Sequence, residues 1–188
     1  MDVRVNETEP RRLRVLFLCT GNSARSQIAE AILARKGRER FVVASAGSQP
    51  ASRINPLTVS TLQEFGIDWS GRVPKGIDAV FSDSWDLIIT VCDRAREACP
   101  TFPGSPAFAH WGLPDPAAVA GSESARLQAF RDTVNYLSRR IDLLLALPVE
   151  KLERLALELR VRAIAEESPV SPAGGADETQ LPVRPSQS

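Results

Sequence analysis

The most constraining feature of this chain is a short apolar run, Val15-Leu-Phe-Leu18, that breaks abruptly into Cys19-Thr-Gly-Asn-Ser-Ala-Arg25-Ser26. An unbroken apolar run of this length suits a strand buried on both faces. Such strands belong to parallel sheets covered by helices on each side. Helical periodicity follows over residues 23–36, with Ile28, Ala29, Ile32 and Leu33 on one stripe.

The alternation then repeats. Residues 41–44, 87–91 and 107–111 read as further strands. Asn55-Pro56 opens a helix that runs to near Gly66, an N-cap with proline in the first turn. A long helix is expected over 123–147, where Leu127, Phe130, Val134, Leu137, Ile141 and Leu144 recur at three- and four-residue steps. Pro148 interrupts it, and a charged amphipathic helix follows over 150–166. Strand–helix alternation of this kind predicts one α/β domain over 13–166, a small parallel sheet with helices on both faces. Residues 1–12 read as a disordered leader. The Pro/Ser-rich stretch 167–188 reads as a disordered tail, too polar to offset its ordering entropy.

Composition excludes several classes. The chain has 188 residues, with 23 basic and 23 acidic side chains. Zero net charge argues against a nucleic-acid binder. No apolar run approaches the roughly 18–20 residues of a membrane span, and the N-terminus lacks the apolar core of a signal peptide. Three cysteines, Cys19, Cys92 and Cys99, are too few and too odd a number for a secreted disulfide scaffold. Reduced thiols and a cytoplasmic location are the expectation.

In parallel α/β sheets the ligand sits beyond the carboxyl ends of the strands, which is where the 19–26 segment falls. Gly21 is expected to permit unusual backbone angles. The backbone of Thr20, Gly21, Asn22, Ser23, Ala24 and Arg25 can then turn N–H groups inward at the start of a helix and cradle an oxyanion. Arg25 adds a bidentate fork. That positive field should also lower the pKa of Cys19 and favour the thiolate nucleophile. No Gly-Lys-Ser/Thr follows, so this is not a nucleotide-binding Walker loop.

The segment Leu18-Cys-Thr-Gly-Asn-Ser-Ala-Arg-Ser-Gln27, with Ala29-Glu30 after it, resembles the arsenate reductases built on the low-molecular-weight protein tyrosine phosphatase fold. Ser45-Ala-Gly47, Ile89-Thr-Val-Cys-Asp93 with Cys99-Pro100, and His110-Trp-Gly with Asp115-Pro116 follow in family order. The resemblance implies a four-stranded parallel sheet. It implies Cys19 as nucleophile, Arg25 as oxyanion ligand, Ser26 as a hydroxyl supporting the thiolate, and Asp115 as general acid. It also implies a relay. Arsenate binds Cys19; Cys92 attacks the Cys19 sulfur as arsenite leaves; Cys99 then takes Cys92 into a disulfide. Thioredoxin or a similar dithiol protein reduces that disulfide.

Seven helical residues separate two Cα atoms by about 10.5 Å, whereas a disulfide needs roughly 4.4–6.8 Å. If 93–98 is helical when reduced, oxidation must unwind it. His110, the single histidine, reads as structural. Six residues between Cys92 and Cys99 and no second histidine argue against a metal site. Some members of the resembled family hold potassium near the loop, at positions matching Asn22, Glu30 and Ser45. No acidic partner near Lys75 is identifiable, so Asn22 and Ser45 read as polar braces of the loop and Glu30 as a polar residue of the first helix. No tightly bound cofactor is expected, and potassium stays open.

The alternative chemistry is hydrolysis of aryl phosphates through a Cys19 phospho-enzyme. Low-molecular-weight tyrosine phosphatases usually carry a second cysteine where this chain has Ala24. They also usually carry aromatics where Ala117 and Ala118 stand. A non-enzymatic oxyanion sensor using the tail is the third reading.

Overall fold

The computed structural model describes residues 11–168 and 170. Four parallel strands, β1 (Leu13–Cys19), β2 (Phe41–Gly47), β3 (Leu87–Thr90) and β4 (Ala107–His110), form one sheet in the order β2-β1-β3-β4. Successive residues Val15, Leu16, Phe17 and Leu18 are all fully buried, so both faces of β1 are covered, as the unbroken apolar run requires. The chain leaves β1 for β2 on one side and later returns for β3 on the other. The carboxyl ends of β1 and β3 therefore flank the point where strand order reverses, the usual ligand crevice of such sheets.

The helices are α1 (Arg25–Lys36), α2 (Pro56–Glu64), α3 (Asp93–Glu97), α4 (Glu123–Ala146) and α5 (Arg154–Glu167). Asn55 caps α2 by accepting the Leu57 N–H at 2.9 Å, and Ser122 caps α4 by accepting the Ala125 N–H at 3.1 Å. On α4 the stripe of Phe130, Val134, Leu137, Ile141 and Leu144 is buried as its spacing predicts, and Leu127 is half-buried. Among the described residues no helix is long and apolar enough to cross a membrane.

Several boundaries differ from expectation. The first helix starts at Arg25, not 23, because Ser23 and Ala24 belong to the loop. β2 extends to Gly47, three residues past the apolar run. The last helix does not begin at 150. Val149–Lys151 make a 3-10 turn and α5 starts at Arg154. The reason is Arg40, which holds the Glu150 carboxylate at 2.5 and 3.0 Å and donates to the Leu145 and Leu147 carbonyls at the end of α4. At the other end, residues 167 and 168, expected to begin the tail, close the domain instead. Glu167 is in α5, and Ser168 is buried with its carbonyl accepting from Arg140 at 3.1 Å. Residues 1–10 and 171–188, the bulk of the expected leader and tail, lie outside the described residues.

Helix α5 covers the exposed edge of the sheet. Ala107 and Trp111 donate inward to Asp86 and Thr90, so the N–H and C=O of Phe108 point outward. Glu158 accepts that N–H at 3.3 Å and Arg162 donates to that carbonyl at 3.0 Å. The two side chains pair with each other at 2.7 Å. Side chains thus satisfy an edge that would otherwise recruit another strand.

Candidate active site

Cys19 is the last residue of β1, and Arg25 is the first of α1. Between them the loop turns its carbonyls outward. Those of Cys19, Thr20, Gly21 and Ser23 accept N–H donors from Ser48, Gln49, Ala51 and Asn55 at 2.9–3.2 Å. With the carbonyls engaged outside, N–H groups are left to face the cysteine. Asn22 N–H donates to Cys19 Sγ at 3.1 Å, and Ser26 Oγ lies 2.9 Å from the same sulfur. Ser26 thus lies within hydrogen-bond distance of the sulfur.

Gly21 does not supply the unusual backbone angle. The left-handed residue is Asn22, with φ 47°, a conformation asparagine tolerates better than most residues. The tight approach lies elsewhere. A Cβ on Gly47 would collide with the Thr20 carbonyl and sit 2.9 Å from the Asn22 nitrogen. Gly47 is what lets the loop lie against β2.

Asn22 is fully buried, and its amide is a hub. Nδ2 donates to Ser26 Oγ at 2.9 Å and to Ser45 Oγ at 2.8 Å. Oδ1 accepts from Gln27 Nε2 at 2.9 Å and from the Lys75 N–H at 2.7 Å. All four bonding positions of the amide are used. The network continues outward. Ser45 Oγ donates to Glu30 at 2.6 Å, Trp69 Nε1 donates to Gln27 at 2.8 Å, and Lys75 Nζ stands 3.7 Å from Glu30. The acidic partner of Lys75, not identifiable in the sequence, is Glu30.

Arg25 reaches across to the loop after β4. Nη1 donates to the Leu113 carbonyl at 3.0 Å, and Nη2 pairs with Asp115 at 3.0 Å. Its buried Nε has no partner among the described residues, which leaves a donor for an anion over the loop. Asp115 also caps the turn Pro116–Ala118 by accepting the Ala117 N–H at 3.1 Å. Arg140, buried in α4, holds the start of the same loop by donating to the Trp111 carbonyl at 3.0 Å. Its position, three residues after Leu137 and four before Leu144, flanks the apolar stripe of α4, but nothing in the sequence names the carbonyls it holds.

The Cys19 pKa runs opposite to expectation. Burial pushes the thiol up. The Ser26 hydroxyl, the backbone N–H groups of Ser26 and Asn22, and the Arg25 guanidinium pull it down by less.

Cys19, Cys92 and Cys99 are free thiols. Cys92 is buried just beyond β3, on the strand beside β1, and its Sγ lies 3.5 Å from Thr20 Oγ1. It also starts α3, so residues 93–97 are helical while the thiols are reduced. Cys99 lies past the other end, half-buried, and burial raises its pKa. His110 bridges β3 and α3. Its ring lies 2.8 Å from Thr90 Oγ1 and 3.0 Å from Asp93 at the start of α3.

The family model of the low molecular weight phosphotyrosine protein phosphatases matches residues 14–158. An arsenate reductase of Halalkalibacterium halodurans is 36% identical over 127 residues, 68% of this chain and 91% of that one. A solved arsenate reductase in its phosphate-binding state aligns with a TM-score of 0.58 at 28% identity, covering 71% of this chain and 97% of the other. A thioredoxin-dependent arsenate reductase of Corynebacterium glutamicum aligns with a TM-score of 0.51 at 31% identity, covering 73% and 65%. With the fold, the cradle and these likenesses in agreement, the chain belongs to the low-molecular-weight phosphotyrosine protein phosphatase family of enzymes, and within it resembles the arsenate reductases.

Proposed function

We propose that the protein reduces arsenate to arsenite, with Cys19, Cys92 and Cys99 passing two electrons to the substrate and thioredoxin restoring the thiols. The observation that carries this reading is the placement of the three thiols. Cys19 sits in an anion cradle, Cys92 is on the neighbouring strand end, and Cys99 is one short helix away and half-exposed. A hydrolase needs only the first.

Arsenate enters over the loop, where N–H groups and Arg25 receive its oxygens. Because burial holds Cys19 as a thiol, its proton passes to an arsenate oxygen as the dianion binds. The thiolate attacks arsenic, and Asp115, which takes up a proton from solvent as the bound anion replaces it on Arg25, passes that proton to the leaving hydroxide as water. Cys92 then attacks Cys19 Sγ. The sulfur–sulfur bond forms, the arsenic–sulfur bond breaks, and its electron pair stays on arsenic as arsenite. Cys99 attacks Cys92, Cys19 leaves as thiolate, and the Cys92–Cys99 disulfide is reduced by the external dithiol.

A potassium ion among Asn22, Glu30 and Ser45 does not suit these side chains. Asn22 turns donors toward Ser45, Ser45 donates to Glu30, and the Lys75 ammonium already faces that carboxylate. We read the enzyme as potassium-independent, with its own lysine neutralising Glu30. The phosphatase alternative is disfavoured by the cavity wall. Beside Asp115 the lining residue is Ala117, and no aromatic lines the cavity among the described residues.

The test is arsenate-dependent NADPH oxidation with thioredoxin and thioredoxin reductase. Wild type should turn over repeatedly, and Cys92→Ser should not. A wild type inactive here but active on aryl phosphate would overturn the reductase reading. Multiple turnovers by Cys92→Ser would overturn the relay.

A further inference from the structure

The cavity over the Cys19 loop, about 200 Å³, is lined by two guanidinium groups, Arg25 and Arg94. Their situations differ. Arg25 is held by the Leu113 carbonyl and by Asp115, whose carboxylate cancels its charge within the cavity. Arg94 is exposed on α3, and among the described residues no carboxylate lies within ion-pair distance of it. Its neighbour Asp93 is taken by His110. Of the three charges lining the cavity, Arg94 is therefore the uncompensated one, and it leaves the site a net cation for an incoming dianion.

Arg94 also stands between Cys92 and Cys99. The helix that presents it spans only Asp93–Glu97, with Cys92 as its N-cap and Cys99 two residues past its end. An unbroken helix would hold the two Cα atoms about 10.5 Å apart, against roughly 4.4–6.8 Å for a disulfide, so joining the cysteines requires this short segment to rearrange. We propose that Arg94 is a second oxyanion-binding residue, and that its place on α3 ties oxyanion affinity to the redox state of Cys92 and Cys99. In the reduced protein it faces the cavity and holds substrate. Oxidation unwinds α3, withdraws the guanidinium, and leaves the cradle with a weaker grip on anions until the disulfide is reduced. The redox half of this proposal rests on the relay described above; the binding half does not.

Inorganic phosphate is a suitable probe, since it binds such cradles without being reduced. Its protection of Cys19 from iodoacetamide, read by mass spectrometry of the Cys19 peptide, reports occupancy in either redox state. In the reduced protein, Arg94→Ala should need about tenfold more phosphate for the same protection, and Arg94→Lys should recover most of it. In wild type carrying the Cys92–Cys99 disulfide, protection should weaken to the level of reduced Arg94→Ala. Oxidation of Arg94→Ala should weaken it little further. Protection in reduced Arg94→Ala equal to wild type would overturn the binding role. An equal loss on oxidation in wild type and Arg94→Ala would overturn the coupling. If mass spectrometry shows that Cys92 and Cys99 do not pair, the relay and the coupling both fall, and the reduced-state comparison still decides whether Arg94 binds the anion.

Discussion

Cys19 and Cys92 sit at the ends of adjacent strands, yet the segments that follow them are built in opposite ways. After Cys19 the loop is held at several points. The carbonyls are tied to the 48–58 segment, Asn22 makes four side-chain hydrogen bonds, and Gly47 admits the backbone at a distance no side chain would allow. After Cys92 comes a helix of five residues whose one buried member is Ala95, fixed at its start by the His110–Asp93 contact. A cradle that must match a tetrahedral anion gains from rigidity. A segment that must bring two sulfurs together gains from a low cost of opening.

The largest test of this contrast falls on Asp115, the bridge between the rigid loop and the opposite wall. Asp115→Asn removes the proton donor, and turnover should fall by about 10²–10⁴. The same change should make Cys19 more reactive. In wild type the buried thiol is pushed up, so alkylation by iodoacetamide should be slow near neutrality and keep accelerating as pH rises beyond the ordinary thiol range. Without the carboxylate, the Arg25 charge is free to favour the thiolate, and the rise should shift to lower pH. Unchanged or slower alkylation of Cys19 in Asp115→Asn would show that Asp115 does not restrain Arg25.

A paired measurement tests the two segments directly. Asn22→Ala leaves Ser26, Ser45, Gln27 and the Lys75 N–H without their common partner in a fully buried site. It should cost about 3 kcal/mol in chemical denaturation and lower thioredoxin-coupled arsenate reduction sharply. Arg96→Gly, in the exposed part of α3, should cost about 1 kcal/mol or less. Comparable losses from the two variants would mean that α3 is as firmly built as the loop.

The sequence makes the cradle legible because its elements are contiguous. Strand, glycine, arginine and helix follow within a dozen residues, and each carries a local signal. Ser26 lies in the same segment, but its role is implied by the family resemblance and not by any local signal. Of the polar scaffold, Asn22 and Ser45 read as braces, but which residues they join is not legible, because Asn22 meets Ser45 and Lys75 only through the tertiary fold, across gaps of 23 and 53 residues. Reading Gly21 as the strained residue follows the general habit of glycine. The structure gives that conformation to Asn22, whose side chain compensates for it with hydrogen bonds. Cys19 shows the same limit: a positive loop suggests a low pKa, but depth of burial and the Asp115 partner of Arg25 are set by segments about ninety residues away. Helix α4 is read to within a residue from periodicity alone. The start of α5 is misplaced, since an arginine from the turn before β2 captures Glu150.

The smallest expected effect lies at the outer edge of the loop's scaffold. Glu30 is buried, and its carboxylate accepts from Ser45 at 2.6 Å, while Lys75, about one-third exposed, supplies the balancing charge at 3.7 Å. If the lysine makes an added cation unnecessary, the wild-type melting temperature should be the same in potassium and sodium chloride at equal ionic strength. Lys75→Met strands the carboxylate and should cost about 1 kcal/mol, a shift of about 2–4 °C for a domain of this size. Potassium should then restore part of the loss in that variant, since a bare ion can reach where the ammonium stood. A wild type that gains several degrees from potassium would show that Lys75 leaves room for the ion. The loop would then depend on a bound cation as well as on its own hydrogen bonds, and its rigidity, unlike the looseness of α3, would be conditional on solution composition.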